Sequence, residues 1–215
     1  MGINLAIFDL DGTLCDSLED LASATNHMLA VCGRPALTTS EVRLLVGQGA
    51  RRLVERALPG ASADDIETGL RHFLDYNQAH IADRTRLYPG VSETLSRLAD
   101  RRITLAVVSN KNVALCRRLL GLFGIETVFS AVLGADSLPE RKPSPEPVLK
   151  LLRDFGVAPG EGMIVGDSIN DIQAGRGAGV ITVGCTYGYG EPVELADADY
   201  RIGSMPELLD LPPFV

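Results

Sequence analysis

The chain has little of what many active sites are built from. Its three histidines, His27, His72 and His80, all fall between residues 16 and 84. His72 and His80 stand eight apart on one predicted helix without an HExxH pattern, so packing or capping accounts for them better than zinc. With no histidine elsewhere and no GxSxG turn, a serine or cysteine nucleophile served by an imidazole is hard to assemble. Cys15, Cys32, Cys116 and Cys185 are far apart and lack CxxC spacing, which is expected of reduced packing residues in a cytoplasmic protein. Lysine occurs only three times. A formal charge of −8 argues against nucleic-acid or membrane partners, both of which want a basic face. No apolar stretch approaches the roughly 18 residues of a bilayer span. The first apolar run begins almost at the N-terminus, which leaves no room for a signal peptide. Internal repeats and low-complexity segments are missing too.

What remains is ordinary globular material of 215 residues, 46% hydrophobic and 22% charged, enough for one core domain with a smaller insertion. The most informative segment is Asp9-Leu10-Asp11-Gly12-Thr13, directly after the apolar run Leu5-Ala6-Ile7-Phe8. The run reads as a buried strand stopped by an acidic, glycine-containing turn. Alternation lets residues i and i+2 face one crevice, so Asp9 and Asp11 form a carboxylate pair at a strand's carboxyl end, where open α/β sheets place their sites. Two such acids repel unless a cation, a shared proton or separate protonation roles relieve them. A plain strand-end turn is the competing reading.

Residues 16–84 then follow helical periodicity. Leu18, Leu21, Ala22, Thr25, Met28, Leu29 and Cys32 mark one apolar face, with Asp16-Ser17 starting the helix. Thr38-x-x-Glu41 is a capping box, Gly47-Gln48-Gly49 interrupts before 51–58, and a long helix after Ser62 carries its face to Ile81. Beyond Tyr88-Pro89-Gly90, strands are expected at 103–108, 131–133, 163–165, 180–183 and near 200–202, alternating with helices. That alternation implies right-handed crossovers and a mostly parallel sheet covered on both faces. The predicted organisation is an α/β core of residues 1–15 and 85–215 with an all-helical insertion at 16–84.

Four strand ends converge in this arrangement, delivering Asp9 and Asp11; Ser109 and Asn110; Lys142 in a proline-rich loop; and Asp167 with Asp171. Together they are the parts of phosphoryl transfer: an attacking carboxylate, a cation and hydroxyl for the non-bridging oxygens, and an oxygen-ligand set suited to Mg2+. Individually, Lys142 reads as a solvated loop lysine, Asp167 and Asp171 as a helix cap and a first-turn acid, and Ser109-Asn110 as another cap. Gly175-x-Gly177-x-Gly179 sits at a helix end and reads as packing or capping. Gly188 and Gly190 read as a turn rather than a phosphate cradle.

DLDGT at 9–13, SN at 109–110, KPSP at 142–145 and GDSxxD at 166–171, in order over the full length, resemble a haloacid dehalogenase superfamily phosphatase with a helical C1-type cap. The resemblance implies a Rossmann-like fold in which Asp9 attacks phosphorus to form an aspartyl-phosphate, and Asp11 protonates the leaving alcohol and later accepts a proton from water. It implies Mg2+ held by the Asp9 carboxylate, the Asp11 backbone carbonyl and Asp167, with Asp171 coordinating or just beyond. Ser109, Asn110 and nearby N–H groups would bind the phosphoryl group, Lys142 would balance charge, and Thr13 would orient Asp11. The stretch 46–58, Tyr88-Pro89-Gly90-Val91 and Gly188-Tyr189-Gly190 resemble phosphoglycolate phosphatases, whose cap selects the leaving group.

In that reading the N–H groups at Gly47 and Gly49 and the guanidinium of Arg51 meet a small phosphorylated acid such as 2-phosphoglycolate. A loop-to-helix junction with a solvated arginine is the alternative. A cap would also exclude water during cleavage. Sugar-phosphate mutases of the β-phosphoglucomutase type, pyrophosphatases and nucleotide phosphatases share these motifs. A phospho-acceptor receiver domain fits less well, because receivers lack the helical insertion and place the accepting aspartate on a later strand. A silent binding relative is disfavoured by the intact acids and lysine. The expected partner is a small phosphorylated metabolite, acted on by a monomer or homodimer.

Overall fold

The structure is a computed structural model that describes residues 2–214. The chain divides into two compact units, Met1–Cys15 with Leu87–Val215, and Asp16–Arg86. Among the described residues, no helix is long and apolar enough to cross a membrane.

The first unit is built on a six-stranded parallel sheet. In chain order its strands are β1 (Leu5–Phe8), β4 (Thr104–Val108), β5 (Ala131–Leu133), β6 (Gly162–Gly166), β7 (Ile181–Cys185) and β8 (Tyr200–Ile202), arranged β5-β4-β1-β6-β7-β8. Two-residue strands β2 (Cys15–Asp16) and β3 (Arg86–Leu87) pair separately where the chain passes between the units. All four β1 side chains are buried, as a central parallel strand requires, so Leu-Ala-Ile-Phe carries no alternation. β1 pairs with β4 from Leu5↔Thr104 to Phe8↔Val107 and with β6 from Leu5↔Gly162 to Phe8↔Val165. This register ends three strands at nearly one level, and the order reverses on either side of β1, the switch point at which open α/β sheets bind ligands.

Helices α5 (Val91–Asp100), α6 (Val113–Leu122), α7 (Glu146–Phe155) and α8 (Ile169–Ala178) supply the crossovers. Leu5, Ile7, Ala106, Val108 and Ile164 pack with Val148, Leu151 and Ala174 in one core cluster. The expected fold class is what the structure shows, with small differences at element ends. The strand expected at 180–183 extends to Cys185 because Gly184 and Cys185 pair with Arg201 and Ile202 of β8.

The second unit contains α1 (Leu18–Val31), α2 (Thr39–Arg43), α3 (Ala50–Ala57) and α4 (Ala63–Ala79). Its own core gathers Leu21, Met28, Leu29, Leu53, Val54, Leu58 and Phe73. The capping box on α2 is present, with Glu41 N donating to Thr38 Oγ1 at 3.2 Å and Thr38 N to Glu41 Oε2 at 2.7 Å. α4 stops short of Ile81, because His80 caps it, stacks on Tyr76 and pairs with Asp83 at 2.8 Å. Asp20 closes the unit from α1, its buried carboxylate accepting from Arg84 N, Thr85 N and Thr85 Oγ1 at 2.7–3.1 Å.

Candidate active site

Asp9 leaves β1 with its N–H still donating to Val165 O at 2.9 Å, which fixes the residue at the sheet edge. The chain then turns tightly around Leu10 O, which accepts from Thr13 N, Leu14 N and Cys15 N at 2.9–3.3 Å. Gly12 makes that turn possible. Its φ of +83° is a left-handed value, and a Cβ there would run into the Asp167 carboxylate.

Lys142 lies between β5 and α7, before a cis peptide bond to Pro143. Its buried ammonium bridges Asp9 Oδ1 at 3.0 Å and Asp171 Oδ1 at 2.6 Å. Asp171 sits in the first turn of α8, where its Oδ2 accepts from Ser168 N at 3.1 Å and Ser168 Oγ at 2.8 Å. One carboxylate thus caps the helix and orients the lysine, so the capping and functional readings of this residue coexist. The carboxylate fits beside the strand end because residue 166 is glycine; a Cβ there would occupy the place of the Asp171 side chain. Asp167 accepts from Tyr189 N at 2.6 Å and from Thr13 Oγ1 at 3.3 Å.

Carboxylate oxygens of Asp9, Asp167 and Asp171 come within 4.8 Å of one another, a grouping that could hold a metal ion. Burial raises Asp9 to about 6, with Asp171 adding to the rise and Lys142 opposing it. Burial likewise raises Asp167 to about 8, helped by the charges of Asp171 and Asp9. Lys142 is held above its ordinary range, because Asp171 and Asp9 outweigh the burial that would lower it. Asp9, Asp11, Asp167 and Asp171 carry four negative charges when ionised, against two positive charges on Lys111 and Lys142. The remainder of two negative charges, on oxygen donors alone, fits one hard divalent cation.

Several details differ from the sequence expectations. The Thr13 hydroxyl goes to Asp167 rather than Asp11, because the turn at Gly12 brings Asp167 close. The Asn110 amide donates to Lys142 O at 2.9 Å and so ties the lysine loop to the end of β4. Ser109 is buried there, its N–H on Leu133 O and its Oγ accepting from Lys111 N at 3.4 Å. Asp11 is gripped by Lys111, whose Nζ lies 3.0 Å from both carboxylate oxygens. Sequence reasoning passes over Lys111; its place directly after Ser109-Asn110, as one of three lysines, is the signal that points to it. Tyr189 as a donor to Asp167 is likewise outside what sequence reasoning finds, and Gly188 and Gly190 do more than turn: side chains there would collide with Asp167.

Gly47, Gly49 and Arg51 belong to the second unit. Gly49 precedes α3 with φ +85°, Gly47 has φ +105°, and Arg51 pairs with Glu67 at 2.6 Å, both side chains exposed. Gly175, Gly177 and Gly179 pack or cap α8, as expected: Gly175 lies against Ile164 and Thr182, and Gly179 ends the helix in a left-handed conformation.

A doubly wound parallel sheet thus carries, at the switch point where open α/β sheets bind ligands, a carboxylate–lysine cluster that could hold a metal ion. The chain belongs to the haloacid dehalogenase-like hydrolase family, whose sequence pattern matches residues 6–185. It is 40% identical to the phosphoglycolate phosphatase of Neisseria meningitidis, over 97% of this chain and 93% of that protein. It is also 40% identical to the phosphoglycolate phosphatase of Chromobacterium violaceum, covering 97% and 96%. A crystal structure from Haemophilus somnus, described as a predicted phosphoglycolate phosphatase, superposes with a TM-score of 0.93 at 37% identity, covering 97% of each chain. CbbY from Rhodobacter sphaeroides, in complex with phosphate, superposes at 0.84 with 27% identity, covering 97% of this chain and all of that one.

Proposed function

We propose that the protein is a Mg2+-dependent phosphoglycolate phosphatase. The observation that carries this reading is the buried Lys142 bridging Asp9 and Asp171, beside Asp167, with two negative charges left over. The names of the relatives at 40% identity supply the ester. Asp9 is the nucleophile, because its carboxylate stands at the sheet edge beside a buried ammonium. Its oxygen bonds to phosphorus as the ester P–O bond breaks, and the leaving oxygen takes a proton from Asp11. Asp11 then accepts a proton from the water that hydrolyses the aspartyl-phosphate. Asp9, Asp167 and the Asp11 carbonyl would hold Mg2+, with Asp171 beside them, and the ion would neutralise charge on the phosphoryl oxygens. Lys142, Ser109 and backbone N–H groups serve the same oxygens. Gly47, Gly49 and Arg51 are candidates for anion recognition within the second unit, Arg51 then exchanging Glu67 for the anion. Four free cysteines suit a reducing, cytoplasmic setting.

The test is inorganic phosphate release across 2-phosphoglycolate, pyrophosphate, hexose phosphates and nucleotides. The expected kcat/KM for phosphoglycolate exceeds the others by about tenfold or more, requires Mg2+ and vanishes in Asp9→Asn. Equal or better turnover of pyrophosphate or a hexose phosphate would replace this assignment.

A further inference from the structure

The Lys111–Asp11 pair is left over from the chemistry above. Lys111 lies just past the end of β4, with its side chain 7% exposed and Asp11's 14% exposed. Its Nζ lies 3.0 Å from each Asp11 oxygen. A proton donor must present an oxygen to the leaving group within hydrogen-bond reach. Here both oxygens already face an ammonium, and a lysine with three donors and no acceptor cannot pass along a bond while it holds them. With its side chain 7% exposed, Lys111 has little water to replace the Asp11 carboxylate, and a buried charge left without its partner is costly. Lys111 is therefore a persistent buried cation that must find another anion whenever Asp11 is at work.

We propose that Lys111 is a specificity-determining latch: it holds Asp11 in the resting enzyme and transfers to a second anionic group of the substrate, close to the leaving oxygen, which frees Asp11 for proton transfer. This rests on the phosphatase reading of the same site and deepens it. Any cation touching Asp11 lies beside the leaving oxygen. In phosphoglycolate the carboxylate is joined to that oxygen through a single methylene, so it comes within reach of the same ammonium. When the latch transfers, Asp11 takes a proton from solvent and gives it to the glycolate oxygen as the P–O bond to Asp9 forms and the ester P–O bond breaks. An ester without the second anion leaves Lys111 on Asp11 and is cleaved slowly. Substrate choice is then written partly into the catalytic unit itself, through a residue that does not touch phosphorus.

The experiment compares the wild type with Lys111→Met on 2-phosphoglycolate and on ethyl phosphate, which matches it in size but lacks the carboxylate. Both proteins carry saturating Mg2+, and their melting temperatures are measured alongside. Truncating one side of a buried charge pair should cost the phosphoglycolate kcat/KM on the order of 100-fold. Ethyl phosphate has no second anion for Lys111 to take, so its kcat/KM should fall far less and the preference for phosphoglycolate should collapse. An equal loss on both esters, with the wild-type preference intact, would overturn the latch while leaving the phosphatase assignment standing. A wild type that does not prefer phosphoglycolate over ethyl phosphate would refute the assignment of that substrate, whatever the variant does.

Discussion

Replacing Lys142 by methionine keeps the buried stem and removes the ammonium that bridges Asp9 and Asp171. Two charge-assisted bonds are lost, at 3.0 and 2.6 Å. Hydrogen bonds to charged groups contribute about 1.5–3 kcal/mol each, and removing one partner of a buried ion pair costs about 3–5 kcal/mol. Both routes arrive near 4 kcal/mol. A chain of this size loses about 2–4 °C of Tm per kcal/mol, so the variant should melt roughly 8–16 °C lower at neutral pH in metal-free buffer. The deficit should depend on pH with a definite sign. Asp9 is already raised from 3.8 to about 6 by burial, against the pull of Lys142, and loss of the ammonium pushes it higher. A carboxylate with a raised folded pKa weakens the fold as pH climbs through that value, so the deficit is largest near pH 8 and shrinks towards pH 5. Calorimetric melts at several pH values, with a Lys142→Met/Asp171→Asn double variant to recover part of the loss, make the assay. A Lys142→Met protein that melts within about 2 °C of wild type at pH 8 would refute the idea that this pair holds the site together.

The remaining expectations concern the same centre and the second unit. Mg2+ should raise the melting temperature of metal-stripped protein, by an amount equivalent to about 2.7 kcal/mol at one hundred times Kd; no shift at millimolar Mg2+ would argue against an ion among Asp9, Asp167 and Asp171. Gly12→Ala combines a left-handed φ with a collision against Asp167, so it should cost about 1–3 kcal/mol in strain and abolish Mg2+ binding in calorimetric titration; normal binding would show that the turn is not needed for the ligand. Asp20→Ala removes the buried acceptor for Arg84 N, Thr85 N and Thr85 Oγ1, and about 3 kcal/mol of stability should go with it; hydrogen exchange confined to residues 16–86 would locate the loss, and exchange spread over the sheet would contradict it.

How much of this is legible in the sequence depends on whether a residue's partners lie near it in the chain. Leu5–Phe8 reads as a central strand because four consecutive apolar residues end at an acidic turn, and the parallel register then aligns the ends of β4 and β6 without further information. The capping box at Thr38–Glu41 is local and equally readable. Lys111 is not, because its meaning lies in a carboxylate one hundred residues away, and a lysine after a strand is ordinarily solvated. Thr13 fails for the same reason: its neighbour in sequence is Asp11, whereas its hydroxyl partner, Asp167, is 154 positions distant. Gly188 and Gly190 resemble turn residues until Asp167 is placed against them. The anchoring of Asp20 to residues 84 and 85 depends on closure of the whole helical unit and carries no local signature.

The charges of the site explain why these contacts are buried together. A nucleophilic carboxylate gains from losing water, but in a dry pocket it tends to bind a proton and stop attacking. Lys142 counters this for Asp9, and by bridging to Asp171 the same ammonium ties Asp9 to α8, the helix that follows Asp167. One cation therefore serves charge balance and geometry at once. Lys111 makes the second buried ion pair of the site, with Asp11. Asp167 is raised to about 8 by burial and its acidic neighbours, a rise that Lys142 opposes only in part, so a divalent ion at this carboxyl competes with a proton. Metal affinity and proton release are thus linked, and the ion should bind more tightly at pH 8 than at pH 6.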